Sequence, residues 1–159
     1  MVEKKFTLGF IRHDDKILLL NKEKGWWMGS WNGVGGKIEV GETPEQGMIR
    51  EIQEETGLTI TTVHNLGTVT WQTNDELGGM YIFLADLPEG QILNTPARYN
   101  HEGVLDWKSI TWILNPKNKG IPDNIPYFLP SMLEGKVRHY HCVYNEKIEM
   151  IDFQYDVDL

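Results

Sequence analysis

Cysteine is almost absent from this chain. Cys142 is the single one in 159 residues, so no internal disulfide can staple the fold and burial must hold it together. Long apolar runs are missing too. None approaches the roughly 18 residues needed to span a bilayer, and the opening stretch MVEKKFTLGFIRHDDK lacks the apolar segment of a secretory signal. These absences predict a cytoplasmic protein without a membrane partner. Positive charge is scarce: 15 Lys and Arg stand against 23 Asp and Glu, a formal net charge of -8. Such a surface repels nucleic acid, so no stable nucleic-acid complex is expected, and a phosphate-rich ligand needs a local exception such as a bound cation. Internal repeats, low-complexity tracts and linkers are also lacking. What is present, 40% hydrophobic and 24% charged residues, is the composition of a globular protein, read as one domain over 1–159.

Short apolar runs at 6–12 and 16–22, joined across His13, Asp14 and Asp15, predict a hairpin. The stretch GWWMGSWNGVGGK, residues 25–37, mixes five glycines with three tryptophans and reads as a loop running into a short strand. Thr43, Pro44 and Gln46 then make a capping-box start, and Gly57 a stop, for a helix over 44–56. Residues 58–73, 80–85 and 104–107 are strand candidates. A proline-rich loop over 115–126 precedes a short helix near 127–134, and 137–144 with 148–155 form a closing hairpin. The expected class is α+β on a mixed β-sheet.

Within the helix, at about 100° per residue, Glu51, Glu54 and Glu55 share an arc of about 100°, with Gly47 inside it and Met48, Ile49 and Ile52 on the adjoining apolar face. Like charges four apart and a mid-helix glycine each cost stability. A solvated face is the ordinary explanation for such a run, but oxygen ligands beside a side-chain-free patch are what a hard divalent cation takes, Mg²⁺ first and Mn²⁺ as a substitute. Bound there, it would turn an acidic face into a receptor for a polyphosphate.

Gly36, Glu42, Arg50, Glu51, Ile52, Glu54, Glu55, Gly57 and Leu58 spell G-x5-E-x7-R-E-U-x-E-E-x-G-U, which resembles the Nudix box. The resemblance, to MutT-type Nudix hydrolases, implies an α/β/α sandwich with a loop-helix-loop box. It also implies hydrolysis of a small-molecule nucleotide, a nucleoside diphosphate linked to another moiety, with Mg²⁺. By the same resemblance Glu51, Glu54 and Glu55 are catalytic and metal-binding, with the general base open among them. The Gly36 carbonyl adds an oxygen, and Glu42 and Arg50 act as supports. Glu102, in NHEGVLDW, is similar to a fourth acid supplied from a separate loop.

SWNGVGGK resembles the stretch before the box in enzymes that destroy oxidised purine nucleoside triphosphates, where an asparagine aligned with Asn32 bonds the base. Their late Trp-Pro-Asp-Asp segment aligns with IPDN, residues 121–124, so Ile121 lacks the aromatic face and Asn124 offers an amide in place of a carboxylate. The candidate substrate-binding set is Asn32, Trp31, Lys37, Asp123 and Asn124; Trp26 and Trp27 are either stacking surfaces or packing anchors. His139 and His141, in HYHC, read as polar surface on an outer strand, and Cys142 as a buried small hydrophobe. The expected reaction is nucleoside triphosphate to monophosphate and pyrophosphate. RNA 5′-pyrophosphohydrolysis and non-catalytic nucleotide sensing are the alternatives.

Overall fold

Period-two alternation sorts the side chains of the central strands onto two faces, and each face recruits its own helix. The computed structural model describes residues 2–25 and 27–156. Strands β1 (Phe6–His13), β2 (Lys16–Lys22), β3 (Trp31–Asn32), β4 (His64–Gln72), β5 (Leu77–Asp86), β6 (Gly103–Ser109), β7 (Arg138–Tyr144) and β8 (Met150–Tyr155) form one sheet; α1 (Pro44–Thr56), α2 (Ile110–Ile113) and α3 (Ile125–Leu133) accompany it. The order is β3-β2-β1-β5-β4-β7-β8, with β6 also paired to β2. The β1–β5 and β4–β7 pairs are parallel and the rest antiparallel, the mixed sheet expected.

On one face Leu8, Phe10, Ile17, Leu19, Val69, Ile82 and Tyr140 pack against Ile125, Phe128, Leu129 and Met132 of α3. On the other, Ile11, Leu18, Leu20, Phe83 and Ala85 pack against Met48 and Ile52 of α1. The result is the α/β/α layering, each fully buried large side chain contributing roughly 1.5–3 kcal/mol.

The caps of α1 follow the sequence. Thr43 Oγ1 accepts the Gln46 N–H at 3.1 Å, and Gln46 Oε1 accepts the Thr43 N–H at 2.9 Å. Gly57, at φ 76°, takes the left-handed conformation that a Cβ disfavours and donates its N–H to the Gln53 carbonyl.

Two expectations change, and one short helix is added. Residues 58–63 are not strand; β4 begins at His64. Leu58 and Ile60 are buried in the α1-side core, while the backbone of Thr59 pairs with the side-chain amide of Gln91, at 2.9 and 2.6 Å, instead of with a strand. The four-residue α2, capped by Ser109, is too short to show a periodicity. The histidines do not lie on an outer strand, because β8 takes the edge and β7 runs between it and β4. His141 is buried with its Nδ1 2.7 Å from Thr70 Oγ1, and His139 Nδ1 stands 2.7 Å from Thr68 Oγ1 across the same parallel ladder. Cys142 is buried, as read from the sequence. Trp26 lies outside the described residues, among which no helix is long and apolar enough to cross a membrane.

Candidate active site

The glycine run after β3 brings the chain against β1. The Gly36 carbonyl accepts the Thr7 N–H at 2.9 Å. A Cβ on Gly36 would fall 2.5 Å from Glu51 Oε1, so only a bare Cα lets the α1 carboxylate settle there. It is Gly36, rather than Gly47, that faces Glu51 of the clustered helix carboxylates: Gly47 is covered by Ile38 and by Glu42, whose Oε1 would stand 3.3 Å from an added Cβ.

Arg50 organises the acids. Its Nε donates to Glu42 Oε2 at 2.7 Å and its Nη2 to Glu42 Oε1 at 3.0 Å, a bidentate pair. Nη2 also donates to the Lys37 carbonyl at 3.0 Å, and Nη1 to Glu51 Oε1 at 3.1 Å and Glu54 Oε2 at 3.2 Å. All the N–H donors of the guanidinium are engaged. These bonds, to Glu42 above all, push its pKa far up, while Arg50 in turn lowers that of Glu42.

The three helix carboxylates separate by environment. Glu54 is 55% exposed and Glu51 13%. Glu55 is buried, with Oε2 lacking any hydrogen-bond partner. Burial, and then the negative charge of Glu51, push its pKa up to about 8; Lys22 opposes the shift and Glu102 adds to it. Lys22 continues the row Leu18, Leu20, Lys22 on the α1 side of β2, a position that strand alternation marks but that the sequence reading overlooked.

Among the described residues no three acidic, histidine or cysteine side chains form a ready-made metal cage. The donor set nevertheless suits Mg²⁺, which binds through one or two carboxylates plus waters and substrate phosphates. A buried carboxylate oxygen without a partner, beside a second carboxylate, is the kind of group a cation satisfies.

Most of the candidate substrate-binding residues lie on β3 and in the 121–124 segment. The Trp31 N–H donates to the Gly120 carbonyl at 2.7 Å, joining β3 to the 120–124 segment, and Lys108 Nζ sits 4.3 Å from the Trp31 ring centre. Asn32 Oδ1 accepts the Gly33 N–H at 2.8 Å. Trp27, Ser30, Lys119, Asp123 and Tyr127 line a groove of about 640 Å³. Burial raises the pKa of Asp123, against the Tyr144 hydroxyl that donates to it at 3.4 Å. Asn124 occupies the N-cap position of α3 without a side-chain capping bond. Ile121 is buried in the core, and the side chain of Lys37 is exposed, its backbone held at Arg50.

Residues 5–128 match the NUDIX domain. The oxidized purine nucleoside triphosphate hydrolase of Mus musculus is 39% identical over 150 residues, 93% of this chain and 91% of that one. The protein of the same name from Danio rerio is 38% identical over 135 residues, covering 84% and 81%. In fold, the crystal structure of the mutator MutT protein from Bacillus halodurans superposes with a TM-score of 0.80 over 97% of this chain and 98% of that one, at 24% identity. With most of its length inside the matched domain, the chain belongs to the NUDIX domain family and is a hydrolase of that family.

Proposed function

We propose that this protein is a Mg²⁺-dependent pyrophosphohydrolase, one catalytic domain over 1–159, that converts purine nucleoside triphosphates, oxidised ones among them, to the monophosphate and pyrophosphate. The observation that carries the reading is the buried, unpartnered Glu55 oxygen beside Glu51, next to an Arg50 whose donors are spent on the surrounding acids. Hydrolases of this family generally use divalent metal ions. Glu51, Glu54, Glu55, Glu102 and the Gly36 carbonyl would hold the ion, which when bound supplies Lewis acidity toward phosphate and a more acidic water.

The protein's own groups do the rest. Glu51 and Glu55 form a carboxylate pair able to accept the proton of an attacking water as its oxygen bonds to phosphorus and the anhydride P–O bond breaks, the electron pair leaving with pyrophosphate. Arg50 orients Glu51 and Glu54, and Lys22 offsets part of the charge near the phosphates. Asn32, Asp123 and Asn124 present hydrogen-bonding groups for a base edge. The purine preference is supported by the two oxidized purine nucleoside triphosphate hydrolases that the chain resembles along most of its length.

A screen of ordinary and oxidised purine triphosphates, and of triphosphorylated RNA, with Mg²⁺ and product analysis tests this. The expected products are monophosphate and pyrophosphate from a free purine triphosphate. A preference for RNA, or nucleotide binding without turnover, would overturn the assignment.

A further inference from the structure

The last four carbonyls of a helix have no partner within it and are ordinarily left to water. In α1 one of them, that of Glu54, is taken by a side chain 46 residues away: Asn100 Nδ2 donates to it at 2.7 Å. The other half of the same amide turns to Glu102, whose N–H donates to Asn100 Oδ1 at 2.8 Å. One planar group thus ties the backbone of the box helix to the backbone of the loop acid. The neighbourhood braces it. Tyr99 packs its ring on Gly57, where a Cβ would fall 2.7 Å from a ring carbon. The Glu23 N–H donates to the Glu102 carbonyl at 3.0 Å, and Arg98 pairs with Glu23. The electrostatic influence of Glu102 already reaches Glu55.

We propose that Asn100 is a positioning residue that holds the Glu102 carboxylate in register with the α1 carboxylates, so that helix and loop grip a divalent cation together. The inference rests on the reading of Glu102 as an acid ligand given above, and it adds the residue that makes a loop acid behave as part of a rigid site. Loop acids lacking such a tie lose affinity through the entropy of ordering them at each binding event.

The test is Mn²⁺ binding without nucleotide, followed by the electron paramagnetic resonance of free Mn²⁺, in wild type, Asn100→Ala, Asn100→Asp, Glu102→Gln and the Asn100→Ala/Glu102→Gln pair, with a thermal melt of each. Asn100→Ala is expected to weaken Mn²⁺ roughly tenfold or more, and the pair to bind no worse than Glu102→Gln alone. Asn100→Asp keeps the acceptor for Glu102 but loses the donor to Glu54; it should also bind more weakly, although its added negative charge by itself favours a cation. Wild-type affinity in both Asn100 variants beside a weakened Glu102→Gln would overturn the positioning role and leave the ligand reading intact. Wild-type affinity in Glu102→Gln would overturn the ligand reading first.

Discussion

Helices α1 and α3 cover opposite faces of one sheet and are held by different means. α3 is settled by burial: Ile125, Phe128, Leu129 and Met132 are inaccessible, no side chain caps its start, and Pro130 sits within it. α1 buries only Met48 and Ile52 as large apolar side chains, and depends on a capping box, a glycine stop and the Arg50 network. It also carries the buried, unpartnered Glu55. One helix is optimised as core. The other keeps polar groups in unfavourable surroundings, the pattern expected where stability is set aside for chemistry.

Substitutions can break this contrast or sharpen it. The largest effect is expected from Glu54→Gln, which removes a proposed metal ligand and should lower turnover on the order of 10²–10⁴-fold while changing the free energy of urea unfolding by no more than about 0.5 kcal/mol, as for an exposed side chain. Parallel loss of stability and activity would erase the distinction between the helices. Phe128→Ala should do the converse, costing about 3–5 kcal/mol in denaturant unfolding while the protein that remains folded keeps its kcat. A kcat change larger than the stability change would place α3 in the chemistry.

The third prediction concerns sign. A carboxyl whose folded pKa stands near 8, above its ordinary 4.5, holds its proton better in the folded state. It therefore favours folding below about pH 4.5, and that contribution is lost as pH rises toward 8. In metal-free buffer at pH 8, Glu55→Gln should be more stable than wild type by on the order of a few kcal/mol, with the gap closing toward pH 5. Thermal melts at the two pH values measure it; equal curves would mean that Glu55 is not strained.

The smallest effect belongs to His141. Burial lowers its pKa from 6.5, so its stabilising contribution is present above that value and is lost as pH falls below it. Between pH 7 and 5 wild type should lose more stability than His141→Asn, by a fraction of the Phe128 effect. An identical slope for the two proteins would remove His141 from the account.

The box helix was legible because its determinants are local. Thr43, Gln46 and Gly57 act within one turn of the ends they cap, and the angular arithmetic placed three glutamates on one arc. That arithmetic could not rank them. Glu55 is buried and Glu54 exposed because of what lies outside the helix: Lys22 of β2 and Glu102 of the 98–102 loop both act on Glu55. The same limit hid Asn100, whose partner lies 46 residues away, and the non-strand course of 58–63, where Gln91 supplies the backbone bonds. Lys22 was within reach, since the alternation that buries Leu18 and Leu20 points it the same way.

A guanidinium with no hydrogen to spare has no slack. Glu42, Glu51, Glu54 and the Lys37 carbonyl draw on one hub, so losing any of them releases a donor that must find a new acceptor or stay unmatched. Energies measured one residue at a time around Arg50 will therefore not sum, and a viable redesign must replace the whole set together.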